Sequence, residues 1–258
     1  MELHFYKYHG AGNDFILLDN REGKVSLTTG QVAFLCDRHF GIGADGLMLL
    51  ETVGGYDFRM VYYNSDGNES SMCGNGGRCI TAFAKQLGLV TNRASFIAID
   101  GAHQATCNGD GNISLHMQDV ESIEHFDGYS ILDTGSPHYI KWVNDVKATD
   151  VFITGRATRN EDRFQPKGIN VNFVQKVDDG LWIRTYERGV EDETLSCGTG
   201  VTAGAIAATC NLTGNFDTKI FTPGGELNVS FTKDSPTTAK DVILTGPAML
   251  VFEGRIKI

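Results

Sequence analysis

The sequence predicts an α+β protein made of two pseudo-symmetric halves, and three observations carry that expectation. The tetrapeptide Cys-Gly-x-Gly occurs twice, at Cys73-Gly74-Asn75-Gly76 and at Cys197-Gly198-Thr199-Gly200. Each copy opens a run of small and apolar residues that reads as a helix, ITAFAKQL at 80–87 and VTAGAIAATCNL at 201–212. Gly88 stops the first run and Thr213-Gly214 the second, since glycine just past the last periodic residue ends a helix. Most of the rest alternates like strands between turn signals. Features also recur at a nearly constant offset: Gly135 follows Gly12 by 123 positions and Cys197 follows Cys73 by 124. Order and spacing agreeing together point to an internal duplication. We place the halves at 1–120 and 121–247, with a last strand at about 248–258 able to pair back with the first half.

In chain order, residues 3–20 read as a strand, a glycine-rich turn at 10–14 and a second strand. The turn is a hairpin on the plainest reading; on a sharper one it points the Asn13 amide into a cleft. A helix starting at Thr29 or Gly30 and ended by Gly41 places Cys36 on its apolar face, as a core residue. GLMLLET and YDFRMVYYN follow as strands before the first cysteine loop. After the first helix come ASFIAIDG, HQATCNGDG and NISLHMQ, with hairpin signals at Asp100-Gly101 and Asp110-Gly111. The second half repeats the plan: strand, glycine turn and strand at 129–145, a helix or strand entering a polar loop, and two strands joined by Asp178-Asp179-Gly180. The second cysteine loop, its helix and further hairpins complete it.

The 258 residues suffice for one large domain or two small ones. A net charge of −10 argues against a general affinity for nucleic acid or anionic membrane. No run is long enough for a transmembrane helix, and MELHFYKYHG lacks the regions of a signal peptide, so a soluble cytoplasmic protein is expected. The six cysteines are expected to be reduced. Their spacing includes no CxxC pair, which makes a metal site a weak reading.

Two cysteines at helix N-termini are the chemical core of the sequence. Free backbone N–H groups and the positive dipole end favour an anion there, and a thiol so placed becomes a usable base or nucleophile. A duplicated chain with one such start per half predicts a pseudo-twofold molecule with a cleft between the halves. Two acid/base groups flanking one carbon suit a racemase or epimerase: one removes a proton, the other delivers one to the opposite face. Glycine at 74, 76, 198 and 200 allows close backbone approach to a substrate carboxylate.

HGAGNDF, RHFGIGADG, NSDGNESSMCGNGGRC, TGSPH, NVNFV, YERGVEDETLSCGTG and GPAMLVFEG occur in this order over essentially the whole chain. In this pattern the sequence closely resembles the diaminopimelate epimerase family, cofactor-independent enzymes that interconvert LL- and meso-diaminopimelate. The resemblance implies two similar α+β domains, each a β-sheet wrapped around a central helix, with the active site in the cleft between them. It implies no metal, no cofactor, diaminopimelate as the small-molecule partner, and a homodimer. Cys73 and Cys197 match the two acid/base thiols. Gly74, Asn75, Gly198 and Thr199 match the helix-end donors to the reacting carboxylate. Asn13, Asn64, Asn170 and Arg188 match side chains that hold substrate, with Arg188 on the distal carboxylate. Glu187 matches a residue that binds the substrate amine and tunes a thiol, and His138 matches the one that tunes the other. Ser136 and Gly46 depart from the common pattern, and the stretch from Glu187 to Cys197 is one residue longer, which could shift Glu187.

Other polar residues have plainer readings. Cys79 and Cys210 are expected inside the two helices, packed, and Cys107 is structural. Arg78 is either a substrate cation or a solvent-facing or ion-paired residue. His9 and His39 read as structural. Proline or hydroxyproline racemases share the two-thiol plan, but Asn75 and Arg188 favour a substrate with a second carboxylate. An isomerase without thiol chemistry is disfavoured by the two cysteines, and a non-catalytic amino-acid-binding module is a third reading.

Overall fold

The computed structural model describes residues 1–258, which form eighteen strands and four α-helices. The chain divides into two compact units, residues 1–115 with 246–258, and residues 116–245, against the 120/121 and 247/248 divisions expected. No helix is long and apolar enough to cross a membrane.

Unit 1 holds β1 (Glu2–Gly10), β2 (Asn13–Asp19), α1 (Thr29–Cys36), β3 (Gly46–Glu51), β4 (Phe58–Asn64), β5 (Glu69–Ser70), α2 (Gly74–Gln86), β6 (Arg93–Ala98), β7 (Gly101–Cys107) and β8 (Asn112–His116). It also holds the last strand of the chain, β18 (Met249–Lys257), antiparallel to β1 from Glu2↔Lys257 to His9↔Met249. The strands run β18-β1-β2-β3-β4-β6-β7-β8, with β5 beside β4; β2/β3 and β4/β6 are parallel, the other pairs antiparallel. A type I′-like hairpin joins β1 to β2, with both Ala11 (φ 52°) and Gly12 (φ 85°) left-handed. Helix α1 covers one face of the sheet, where Val32, Leu35 and Cys36 meet Leu3, Phe5, Ile16, Leu18, Leu47 and Leu49. Its start is fixed by a capping box between Thr28 and Gln31. Helix α2 lies against the other face, on β1, β2, β3 and β7. Because β1 and β2 carry helices on both sides, FILL at 15–18 is buried throughout instead of alternating.

Unit 2 repeats this plan. It comprises β9 (Ile123–Phe126), β10 (Tyr129–Asp133), β11 (Pro137–Trp142), α3 (Val151–Arg159), β12 (Asn170–Val177), β13 (Gly180–Glu187), β14 (Asp192–Thr194), α4 (Gly198–Ala208), β15 (Gly214–Thr222), β16 (Gly225–Lys233) and β17 (Lys240–Pro247). The order is β9-β10-β11-β12-β13-β15-β16-β17, with β14 beside β13, and only β11/β12 and β13/β15 are parallel. Strand for strand this matches unit 1 in order and direction, with α3 in the place of α1 and α4 in that of α2. The duplication read from two short motifs therefore extends to every strand and α-helix.

Helices α2 and α4 are the central elements, and both start earlier than their apolar runs. Glycine is a poor helix former, so the apolar runs read from the sequence began only at Ile80 and Val201. The cysteines stand at the helix N-termini as expected: Cys73 and Cys197 are the N-cap residues, and the helices begin at Gly74 and Gly198. Helix α4 has no polar stripe, and a helix apolar all round is buried all round: Val201 to Ala207 are all buried. It ends at Ala208, so Cys210 lies beyond it, exposed on a left-handed turn (φ 49°), not packed inside as expected. Cys36, Cys79 and Cys107 are buried as expected.

Glycine sets the approach of α3 to its sheet. A Cβ on Gly155 would lie 2.4 Å from the Tyr186 Cβ, under a side chain that is itself buried. Gly155→Ala is therefore expected to destabilise the protein by about 1–3 kcal/mol through overpacking, lowering the melting temperature measured by calorimetry by several degrees, while Gly54→Ala, which meets open space, leaves it near wild type.

Candidate functional site

In unit 1 the site is built on the first turn of α2. The Gly76 N–H donates to Cys73 Sγ at 3.2 Å, so the sulfur does what an N-cap oxygen does elsewhere. Glycine at 76 lets Met48 and the sulfur pack close: a Cβ there would lie 2.5 Å from Met48 Cε and 3.1 Å from Cys73 Sγ. Donation of an N–H to sulfur favours the thiolate over the thiol.

One turn into α2, Arg78 is wholly buried and has no carboxylate partner. This overturns the solvent-facing and ion-paired readings. Its guanidinium donates to the Gly74 carbonyl (3.1 Å) and to Asn75 Oδ1 (2.9 Å), and burial pulls its pKa down to about 10. The Arg78 contact orients the Asn75 amide, whose Nδ2 donates to Asn13 Oδ1 at 3.2 Å. Asn13 Nδ2 in turn donates to Asp45 at 2.6 Å. Asp45 accepts from Arg38 at 2.7 Å, and Arg38 and Lys7 both pair with Asp14. Burial alone would raise the Asp14 pKa, but hydrogen bonds from Arg38 and Lys7 hold it at about 2. Two of the expected substrate residues, Asn13 and Asn75, thus sit in one chain of bonds running from a buried guanidinium to a surface ion cluster.

The remaining expected residue of this unit, Asn64, ends β4. Its backbone closes the turn through Asn64 N to Asn68 O (3.0 Å) and Gly67 N to Asn64 O (2.9 Å), while its side chain is exposed and joins no bond to the others. Gly46 opposes Asn64 across β3/β4 and is sterically required, since a Cβ would lie 2.6 Å from the Tyr63 carbonyl oxygen. The other buried thiols are poor nucleophiles: burial pushes Cys36 up to about 12 and raises Cys79 and Cys107 as well.

Unit 2 uses the same frame with different side chains. Cys197 caps α4 and is buried, with Sγ 3.5 Å from Thr199 Oγ1. The Thr134 hydroxyl donates to the Thr199 carbonyl at 2.9 Å, which ties the loop holding Gly135, Ser136 and Pro137 to the first helical turn. Asn170, at the start of β12, donates to Ser136 Oγ (2.6 Å) and to the Pro137 carbonyl (3.1 Å), and accepts from the Arg188 N–H (2.9 Å). The Arg188 guanidinium reaches Ser136 Oγ at 3.5 Å. Ser136, the departure from the family pattern, is thus the joint between Asn170 and Arg188. Glu187 accepts from the Thr194 hydroxyl at 2.9 Å and opposes Asp192 in the β13/β14 ladder. The intervening turn takes its length through left-handed Gly189 (φ 92°) and Glu191 (φ 60°), so Glu187 remains in the ladder.

His138 is fully buried on β11, and burial, reinforced by the Arg188 charge, lowers its pKa to about 3. It is neutral at physiological pH. Nδ1 lies 3.0 Å from Asn172 Nδ2, whereas Nε2 has no hydrogen-bond partner. The sequence reading missed Asn172, Thr134, Arg38 and Asp45. Only Asn172 had a usable signal: it stands two residues after Asn170, and strand periodicity places both on one face.

A profile of the family described as diaminopimelate epimerase matches residues 5–123 and 130–251. The chain is 49% identical over 257 residues to the diaminopimelate epimerase of Flavobacterium psychrophilum, covering 98% of this chain and 100% of that protein. It is 41% identical to the diaminopimelate epimerase of Chlorobaculum tepidum, covering 96% and 99% of the two chains. Among solved structures, a phenazine biosynthesis protein of the PhzF family from Bacillus anthracis superposes with a TM-score of 0.79 at 14% identity, covering 100% of both chains. A hydroxyproline epimerase from Agrobacterium vitis superposes with a TM-score of 0.68 at 15% identity, covering 99% of this chain and 92% of that one. The structural likenesses carry the fold; the sequence matches, across nearly the full length of both partners, place the chain in the diaminopimelate epimerase family.

Proposed function

We propose that this protein interconverts LL- and meso-diaminopimelate without a cofactor, using Cys73 and Cys197 as the acid/base pair. The observation that carries the reading is the placement of one cysteine at the N-cap of the buried central helix in each of two duplicated units. Inversion at a tetrahedral carbon requires a proton to leave one face and another to arrive on the opposite face. Two like groups in opposite protonation states supply both steps, and the product state is the mirror of the starting state. A thiolate takes the α-proton while the other thiol donates, so the enzyme finishes with the charge on the other sulfur.

The α-proton of an amino acid is a very weak acid, so negative charge spreading into the carboxylate must be met by donors already in place. The first amides of a helix lack intrahelical acceptors. Those of Gly74 and Asn75 in α2 and of Gly198 and Thr199 in α4 are assigned to the reacting carboxylate. Arg188, held through Asn170 and Ser136, is assigned to the distal carboxylate, with Asn13, Asn64 and Asn170 as further polar contacts. Glu187 takes the amine and acts on one thiol; His138 acts on the other. The buried Arg78 charge is assigned to stabilising the Cys73 thiolate at a fixed place in α2.

Finer expectations go with this reading. All six cysteines are free thiols, which suits a cytoplasmic location. The run Met249, Leu250, Val251 and Phe252 on β18 is 43–54% exposed, an apolar stretch suited to a homodimer interface. Light scattering after size exclusion is expected to give twice the monomer mass, and Val251→Asp with Phe252→Asp is expected to give the monomer. A monomeric wild type at micromolar concentration would refute the dimer.

In deuterium oxide, proton NMR of LL-diaminopimelate is expected to show loss of the α-proton signal and appearance of the meso isomer with wild type, and no epimerisation with Cys73→Ala or Cys197→Ala. Normal epimerisation by either variant rules out the two-thiol assignment. Binding without exchange by wild type would make the protein a binding module, and turnover of proline alone would move the substrate class.

Removing Arg78 tests its electrostatic role separately. Arg78→Met is expected to raise the pH at which iodoacetamide alkylates Cys73 by about one unit, read by peptide mass spectrometry, while Arg78→Lys shifts it less. An unchanged alkylation profile in Arg78→Met would remove that role.

A further inference from the structure

The duplication provides an internal control, because residues 123 or 124 positions apart occupy matching places in the two units. Position 48 in β3 matches position 172 in β12. Met48 opposes Leu17 in β2 and Tyr62 in β4, and Asn172 opposes Ile140 in β11 and Thr185 in β13. Each lies under the first turn of the central helix, beside the catalytic sulfur. A Cβ on Gly76 would meet Met48 Cε at 2.5 Å and Cys73 Sγ at 3.1 Å. A Cβ on Gly200 would meet Asn172 Oδ1 at 2.3 Å and Cys197 Sγ at 3.3 Å. The same place is apolar in one unit and an amide in the other.

A wholly buried amide needs its hydrogen bonds made within the protein, and those of Asn172 fix its orientation. Oδ1 accepts from the Thr185 hydroxyl at 2.8 Å. Nδ2 lies 3.3 Å from the Tyr139 carbonyl, which can only accept, and 3.0 Å from His138 Nδ1. With Nδ2 committed as donor, Nδ1 must be the acceptor of the imidazole, and the ring proton must sit on Nε2. Nε2 is the one ring nitrogen left without a partner in the protein.

We infer that Asn172, clamped by Thr185 and the Tyr139 carbonyl, is a positioning residue that keeps the His138 proton on Nε2, so that His138 enters the reaction as a hydrogen-bond donor to an anion and not as a base. The anion is a carboxylate or thiolate in the site. The inference rests on the assignment of His138 to the acid/base machinery made above. Asn172 acts through His138, whose Nδ1 its amide holds. Position 48 needs no such amide, because the residue matching His138 in unit 1 is Phe15, which opposes Gly46 as His138 opposes Asn170 and is buried with no polar atom to orient.

The test is long-range proton–nitrogen NMR of the histidine rings in the full-length protein labelled with 15N-histidine, with His138 assigned by its absence in His138→Gln. Wild type is expected to show the Nε2–H tautomer of His138, unchanged between about pH 6 and 8. A wild-type Nδ1–H tautomer or an imidazolium at neutral pH overturns the inference without any variant. Asn172→Asp replaces the donor with a carboxylate that can only accept, so the proton is expected on Nδ1. Asn172→Ala is expected to leave a mixture of tautomers. In both, kcat with diaminopimelate is expected to fall about 10- to 100-fold, the scale of one hydrogen bond to a charged group, with KM changed less than about twofold. Persistence of the wild-type tautomer in Asn172→Asp, or a changed tautomer with wild-type kcat, overturns the positioning role. If His138→Gln itself turns over at the wild-type rate, the assignment of His138 to the machinery fails, and with it the catalytic part of the inference, while the wild-type spectrum still decides the tautomer.

Discussion

A helix buried inside its own sheet must start somewhere, and its first amides have no intrahelical acceptors. In this protein that constraint falls at Gly74–Gly76 and Gly198–Gly200. Elsewhere a serine, threonine or aspartate oxygen would satisfy such a start, as Thr28 does for α1 and Asp150 for α3. At α2 and α4 the cap is a cysteine, whose larger and more polarisable sulfur accepts weakly and can carry charge. Cys73 Sγ accepts from the Gly76 N–H at 3.2 Å, and Cys197 makes no side-chain cap bond. The rest of the fold follows from keeping those two starts in place. Strands on several sides bury the helices, and glycines at 76 and 200 allow Met48 and Asn172 to pack directly beneath the sulfurs.

The two units solve the electrostatic problem of such a site differently. Unit 1 places a buried guanidinium, Arg78, in the helix itself and balances its polar surroundings outward through Asn75, Asn13 and Asp45 to surface charges. Unit 2 has no buried cation at the matching place: position 202 is a threonine whose hydroxyl returns to the Gly198 carbonyl at 2.9 Å. Its polarity is supplied by neutral groups, His138, Asn172 and Thr185. A common ancestor explains the matching backbones; the divergence of the supporting side chains fits a reaction in which the two sulfurs exchange protonation states.

Much of this was legible in the sequence because it depends on local rules. The two helix starts, the hairpin at Gly10–Asn13 and the duplication all leave short-range marks in glycine placement and spacing. Cys73 and Cys197 could be named because each lies beside such a mark, whereas Asn75 and Asn170 were named through the resemblance to the family. The periodic runs began later than the helices, at Ile80 and Val201, because intrinsic propensity speaks against GNGG and tertiary burial overrides it. The state of Arg78 was unreadable for the same kind of reason. Whether an arginine faces water or a core depends on which sheet closes over it, and its neighbour Pro247, whose carbonyl lies 3.5 Å from Nε, is 169 residues away in the chain.

Asn172 marks the boundary of what pattern reading could reach. Period-two alternation put it on the same face as Asn170, yet only the Tyr139 carbonyl and Thr185 hydroxyl, brought in by β11 and β13, settle which way its amide points. That orientation then decides the tautomer of His138, and the tautomer decides whether the ring can give or receive a hydrogen bond. Burial holds the ring neutral, so in the resting site it cannot serve as a reservoir of positive charge; a neutral N–H is what it has to offer. Where a sequence motif names a histidine, its chemistry is therefore set by residues outside the motif, on the strands that flank it.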